Sequence, residues 1–176
     1  VQLDKTGFPA SIRAGGQEIL KAPLALNIIT DEGPLTISAA EMHLLKKKQG
    51  LVEWESNSSG RDILIRCNGS MEPDGYLHYQ VRLISLRAQT LKDIRLLIPV
   101  KQGKAAYFMG MGLPGMICPI AYSWKWHGPQ NAFWIGDADG GIYCKFRGST
   151  YDGPMLNLYH PAPPPAWYND NKGGFS

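Results

Sequence analysis

Residues 131–148 read NAFWIGDADGGIYCKFRG, and this stretch decides the fold class. Aromatic and β-branched residues alternate on both sides of the turn sequence GDADGG at residues 136–141. Such runs, separated by glycine and aspartate, are typical of two antiparallel strands joined by a tight turn. The stretch therefore predicts a β-hairpin.

The rest of the chain also divides into short strands separated by turns. The 20 glycines and 13 prolines favour many turns, and no segment has a helical stripe longer than two turns. Predicted strands lie at residues 10–20 (two short strands around Gly15 and Gly16), 23–30, 51–56, 63–67, 76–86, 94–100 and 151–160. Residues 35–45 suit a helix or a strand, and we favour a strand; turns are predicted at 31–34, 58–60 and 68–69. We therefore predict an all-β, antiparallel two-sheet β-sandwich of the super-sandwich type, with about ten to thirteen strands and little helix.

The composition argues against several classes of function. The net charge of +3 comes from scattered basic residues, and the basic run at residues 46–48 fits a solvated turn or edge-strand charge block better than a nucleic-acid contact. No stretch approaches the roughly 20 apolar residues of a membrane helix. Cys67, Cys118 and Cys144 lack the CxxC spacing of zinc and redox motifs, so we expect buried thiols, no metal and no cofactor.

The end of the chain differs from the rest in composition. Residues 161–176 are rich in proline and glycine, which predicts an extended tail after a sandwich domain at residues 1–160. We interpret this tail either as ordered by packing of Trp167 or as cut before a further strand or a catalytic domain.

Two carboxylate pairs are candidates for chemistry. Asp137 and Asp139 share a face if extended, which suits calcium, but residue 148 is a glycine where a calcium loop needs glutamate, so we favour a plain turn. Glu53 and Glu55 share the strand face opposite Trp54, and we favour solvent-facing side chains over a catalytic pair. His spacing and Ser context match no hydrolytic zinc site or nucleophile elbow, so no catalytic residue is predicted.

Tryptophans are the better functional candidates. An indole ring stacks on the apolar face of a sugar, and neighbouring polar groups bind its hydroxyls, although core packing is the ordinary role of tryptophan in a sandwich. The predicted carbohydrate-binding residues are Trp124, Trp126, His127, Asn131, Trp134, Asp137 and Trp167.

Several motifs, taken in order, resemble one known family. They are GFPASI at residues 7–12, ILKAP at 19–23, YFMGMGL at 107–113, WKW at 124–126, NAFWIGD at 131–137, GIYCKF at 141–146, Trp167 and KGG at 172–174. Together they look like the amino-terminal domain of glycoside hydrolase family 123-like proteins. That resemblance implies a β-sandwich before a TIM-barrel domain that cleaves β-linked N-acetylgalactosamine glycans by a substrate-assisted retaining mechanism. The mechanism uses an adjacent Asp-Glu pair in the barrel, whereas Asp31-Glu32 here lies in an early turn, so catalysis is not carried over.

The resemblance leads to the main functional hypothesis. It is a non-catalytic amino-terminal sandwich of a glycoside hydrolase, with the catalytic barrel of the same protein and a glycan as partners, and without nucleic-acid or membrane partners. A secreted, periplasmic or cell-surface location in a bacterium follows from the resemblance, although the opening VQLDKTGFPA has no signal-peptide pattern. The alternatives are a free-standing lyase or epimerase of sandwich fold and a structural cell-surface interaction domain.

Overall fold

A computed structural model describes residues 1–38, 41–124, 131–147 and 173–175, of which residues 124 and 173–175 are described by their backbone alone. The chain divides into two units, residues 1–100 and residues 101–176.

Most of the described residues lie in strands, and helix among them is limited to one short 3-10 turn. In the first unit these are β1 (Gln2–Leu3), β2 (Pro9–Ser11), β3 (Arg13–Ala14), β4 (Gln17–Glu18), β5 (Ala25–Thr30), β6 (Gly33–Pro34), β7 (Glu41–Lys48), β8 (Leu51–Gly60), β9 (Ile63–Met71), β10 (Leu77–Ser85) and β11 (Leu91–Leu97). In the second unit they are β12 (Tyr107–Gly110), β13 (Leu113–Ile117), β14 (Tyr122–Trp124), β15 (Ala132–Gly136), β16 (Gly141–Lys145) and β17 (Gly173–Phe175), after a 3-10 turn at Gln102–Lys104. All strand pairs are antiparallel, which confirms the predicted all-β class. The seventeen strands of the described part are shorter and more numerous than expected.

The first unit contains two larger sheets that share a core. One sheet has the order β10-β9-β8-β7 and the other the order β11-β5-β6. Ile28 of the second sheet forms one buried cluster with Ile63 and Ile65 of the first. Leu26 and Leu83 pack against this cluster from the two sheets. The two inner faces therefore meet through aliphatic side chains, as in a β-sandwich.

Trp54 is buried on the inner face of the β10-β9-β8-β7 sheet. Its side chain is 1% exposed, and its Nε1–H donates a hydrogen bond to the carbonyl oxygen of Gly7 at 3.0 Å. Ser56, two residues further along the same face, donates from Oγ to the carbonyl oxygen of Thr6 at 2.5 Å. The ring of Tyr79 meets the indole edge-on with a centroid distance of 5.7 Å. These contacts attach the loop between β1 and β2 to the sheet.

The prediction of a turn at residues 68–69 is wrong. Strand β9 runs straight through Asn68-Gly69, and Gly69 lies directly opposite Trp54 on β8. A Cβ atom added at Gly69 would overlap the indole of Trp54. The glycine therefore makes room for a ring on the neighbouring strand instead of bending the chain.

Two other predicted boundaries are also shifted. Strand β8 continues to Gly60, so the turn predicted at 58–60 lies instead at Arg61-Asp62, where Arg61 has a φ of 44°. The strand expected at 35–45 begins at Glu41, while residues 35–38 form no strand. The basic run at 46–48 lies in β7, an edge strand of its sheet, where charged side chains discourage pairing with other chains.

The second unit contains the predicted hairpin. Strands β15 and β16 pair from Ala132↔Lys145 to Gly136↔Gly141, within a sheet of order β13-β12-β15-β16. Strand β14 pairs with β17. The strand predicted at 151–160 and the boundary predicted near residue 160 lie outside the described residues.

No helix in the described part of the chain has the length and apolar character needed to span a membrane. The three cysteines are free. Cys67 is buried, whereas Cys118 and Cys144 are only partly buried, so the expectation of three buried thiols is confirmed for Cys67 alone. Burial raises the pKa of the Cys67 thiol to about 11 and likewise that of the Cys144 thiol to about 11.

We expect Gly69→Ala to destabilise the protein by about 1–3 kcal/mol, since the new methyl group overlaps Trp54 in a closely packed core. Chemical denaturation followed by tryptophan fluorescence measures the change. Gly115→Ala is the matched control, because Gly115 also lies in a strand but has open space where its Cβ would be. Equal stability of the two variants would contradict the role assigned to Gly69.

The thiol of Cys67 makes stability depend on pH in the alkaline range. Its folded pKa of about 11 lies above the ordinary value of 9.0, so its contribution is fully present below pH 9 and is lost as the pH rises to about 11. We expect the free energy of unfolding of the wild-type chain to fall more steeply between these two pH values than that of Cys67→Ala. Parallel slopes in urea denaturation series would contradict this linkage.

Candidate functional site

The loop of the β15–β16 hairpin is fixed by its own aspartates. Asp137 Oδ1 accepts hydrogen bonds from the backbone N–H groups of Asp139 at 2.9 Å and Gly140 at 3.1 Å. Lys104 Nζ lies 2.7 Å from Asp137 Oδ2 and 3.3 Å from Asp139 Oδ2. The hydrogen bond from Lys104 lowers the pKa of the Asp137 carboxyl group and raises that of the Lys104 amine. Both oxygens of Asp137 are thus engaged in holding the turn, as in an Asx turn.

One face of the sheet in the second unit carries a row of large side chains. Register places Met109 on β12 opposite Trp134 on β15, and Trp134 opposite Tyr143 on β16. In the next row Tyr107 lies opposite Gly136, and Gly136 lies opposite Gly141. We call the four side chains of these rows the aromatic face: Tyr107, Met109, Trp134 and Tyr143.

The indole of Trp134 lies along the sheet over the two glycines. A Cβ added at Gly136 would lie 2.5 Å from Trp134 Cζ2, and one added at Gly141 would lie 2.8 Å from Trp134 Cε2. The ring therefore occupies the space that side chains at these two positions would fill. It is partly buried, while Tyr107, Met109 and Tyr143 are 48%, 50% and 59% exposed. Three of the four side chains of the aromatic face are thus about half exposed, and the ring of Trp134 rests on the backbone of the two glycines.

The opposite face of the same sheet forms the core of this unit. Phe108 is buried and stacks on Phe133 with a centroid distance of 5.8 Å, and Phe133 contacts Phe146 at 6.2 Å. Asn131 is fully buried, and its Nδ2 donates to the carbonyl oxygen of Phe146. Its Oδ1 has no hydrogen-bond partner among the described residues. Asn131 therefore holds the end of the hairpin closed and presents no polar atom to solvent.

The structure describes the side chains of three of the seven predicted site residues. Trp134 and Asp137 lie on the same hairpin, and Asn131 is buried at its base. The backbone of Trp124 lies in β14, whereas its side chain, Trp126, His127 and Trp167 lie outside the described residues. Carbohydrate binding by these seven residues stays a prediction.

Sequence reasoning did not identify Tyr107, Met109 and Tyr143 as site residues. Their alternation within YFMG and GIYCK was visible, but placing them beside Trp134 required the register of three strands.

Glu53 lies 3.6 Å from Lys46 in an ion pair, so one of the two paired glutamates has a cationic partner. No group of three or more metal-ligating side chains suited to hold an ion occurs in the described ranges.

Comparison with known proteins identifies the family. The family model described as glycoside hydrolase 123, third domain, matches residues 1–176. No curated protein and no solved structure matches the chain. The expected amino-terminal position is wrong, because the match is to a third domain, which implies other domains in the same polypeptide. Over its whole length, the chain belongs to the family of glycoside hydrolase 123 third domains.

Proposed function

We propose that this chain is a non-catalytic accessory domain of a glycoside hydrolase 123 protein and that it contacts carbohydrate through the aromatic face. The observation that carries this proposal is the indole of Trp134, which lies over Gly136 and Gly141 between the half-exposed side chains of Met109 and Tyr143. Because the ring is held in this way, it has little rotational freedom even before a ligand binds. Preorganisation of this kind lowers the entropic cost of binding.

A flat, apolar surface of this kind suits the CH groups of a pyranose ring. Aromatic side chains contribute a large contact area with few rotatable bonds, and polar groups at the rim then orient the hydroxyls. Lys145 lies beside the aromatic face, two residues after Tyr143 on the same side of β16, and the exposed carboxylate of Asp139 lies in the hairpin loop. The core of the unit uses Phe108, Phe133 and Phe146 on the other side of the sheet, so the aromatic face is left for a ligand.

The carboxylates of the first unit support the non-catalytic part of the proposal. The one Asp-Glu sequence, Asp31-Glu32, has both side chains in surface ion pairs, with Lys92 and Arg61 respectively. A cavity of about 210 Å³ beside Arg61 and Glu32 is smaller than the roughly 300 Å³ at which ligand pockets begin. Catalysis by the parent protein would then reside in another of its domains, and we expect that domain to be a barrel. An extracytoplasmic, bacterial location remains a prediction.

We expect Trp134→Ala to weaken retention of the full chain on neutral glycans by more than tenfold. Removing about 80 Å² of stacked apolar contact at 25 cal/mol per Å² costs about 2 kcal/mol. Affinity electrophoresis or a glycan array, with β-linked N-acetylgalactosamine oligosaccharides among the probes, measures the change.

Because Trp134 also fills space over two glycines, the exposed neighbours provide a second test. Tyr143→Ala should fold normally and weaken retention, whereas Tyr76→Ala removes another tyrosine that is about half exposed, in the first unit, and should have no effect. Circular dichroism establishes that each variant is folded. The carbohydrate proposal would be contradicted if the wild-type chain bound no glycan or if all folded variants were retained equally.

A further inference from the structure

Three successive rows on the outer face of the β10-β9-β8-β7 sheet are polar across all four strands, and the row next to them contains Leu64 and Ile84. Alternation along β9 buries Ile63, Ile65 and Cys67 on the inner face and exposes Arg66 and Asn68 on the outer one. Register extends the outer face into three rows. We call the side chains of these rows the polar face: Lys46, Glu53, Ser70 and His78; His43, Glu55, Asn68 and Gln80; Glu41, Asn57, Arg66 and Arg82.

Two arginines lie directly opposite each other on this face. Arg66 of β9 is the register partner of Arg82 of β10, and both residues are exposed. Asn57 of β8 is the partner of Arg66 on its other side. Like charges placed opposite each other on neighbouring strands destabilise a sheet. The pair is therefore unfavourable unless a negative charge lies between or above the two guanidinium groups.

No described side chain supplies that charge. Four of the six arginines in the first unit form ion pairs, namely Arg13 with Glu18, Arg61 with Glu32, Arg87 with Asp62 and Arg95 with Asp93. Within the described residues, Arg66 and Arg82 are the two that form none. Glu55 lies diagonal to Arg66 as the partner of Asn68, without an ion pair, and Glu41 contacts His43 at 3.8 Å instead.

We propose that Arg66 and Arg82 form a binding site for an oxyanion, a carboxylate or sulfate carried by an acidic glycan. Guanidinium groups present parallel N–H donors that match the paired oxygens of such groups, and a bound oxyanion removes the repulsion between them. The amides of Asn57, Asn68 and Gln80 lie beside the pair and offer donors and acceptors for hydroxyls, while Leu64 and Ile84 border it on the other side.

The composition of the polar face favours a glycan over a protein partner. The centre of a protein interface is depleted in charge and enriched in aromatic side chains. The three rows contain no aliphatic or aromatic side chain except imidazole, and the aliphatic side chains of this face, Leu51, Leu64 and Ile84, lie at its margins. The glycan part of this assignment rests on the proposed carbohydrate contact of the domain, but the two surfaces lie in different units and can fail separately.

Inorganic sulfate tests the arginine pair itself. At constant ionic strength, replacing chloride with sulfate should raise the Tm of the wild-type chain and shift the Nε–H resonances of Arg66 and Arg82. Both responses should vanish in Arg66→Gln and Arg82→Gln and persist in Arg95→Gln, which removes the same charge from an arginine paired with Asp93. In chloride, Arg82→Gln should be at least as stable as the wild type, because the repulsion is relieved. Responses equal in all variants would overturn the site.

Polysaccharides test the source of the oxyanion. Dextran sulfate and polygalacturonate should bind the wild-type chain, and Arg66→Gln or Arg82→Gln should weaken binding by about tenfold, the effect of one charge-assisted hydrogen bond. Arg95→Gln should bind as the wild type does. Binding of inorganic sulfate without either polysaccharide, or tighter arginine-dependent binding of polyglutamate, would overturn the assignment to an acidic glycan.

The same panel separates this site from the aromatic face. Trp134→Ala should lose neutral glycans and keep the arginine-dependent response to sulfate. Loss of that response in Trp134→Ala would overturn the assignment of two independent surfaces. Binding of neutral but not acidic glycans by the wild type would overturn the oxyanion site and leave the proposed function intact.

Discussion

The structure depends on indole rings that lie over glycines on the neighbouring strand. In the first unit, Trp54 covers Gly69 and donates a hydrogen bond to the carbonyl oxygen of Gly7. A side chain at position 69 would push the ring out of the core and with it the loop between β1 and β2. Glycine weakens a strand by itself, and a large aromatic neighbour compensates by covering its backbone. Ring and glycine are therefore one packing unit divided between two strands.

The second unit repeats this arrangement with a different outcome. Trp134 covers Gly136 and Gly141, yet its row continues into half-exposed side chains, and the phenylalanine core lies on the other side of the sheet. Trp54 lies between its own sheet and the loop that joins β1 and β2, and it is 1% exposed. Packing of an indole over glycine thus stabilises a buried region in the first unit and forms part of a half-exposed surface in the second. What lies above the ring decides whether it stabilises the fold or is available to a ligand.

Local patterns predicted the class of fold and the central hairpin, because alternation and turn chemistry act over a few residues. They failed at Asn68-Gly69, a typical turn dipeptide that lies within a strand. Gly69 is needed there because the indole of Trp54, fifteen residues earlier in the chain, occupies the space of a side chain. The candidate site could be predicted only in part, because local patterns do not show which strands become neighbours. Trp134 stands out by type, whereas Met109 and Tyr143 become its neighbours only through strand register. The family followed from ordered motifs, but its place as a third domain did not.

The sequence by itself determined that the chain is antiparallel β-structure, that residues 131–148 form a hairpin, and that its relatives belong to glycoside hydrolase family 123. Only the tertiary structure decided which side chains share a surface: the aromatic face of one sheet, and Arg66 beside Arg82 on another. The physical reason is that each strand carries two faces whose neighbours are set by register with other strands. A shift of one residue exchanges those faces, and no local pattern records it.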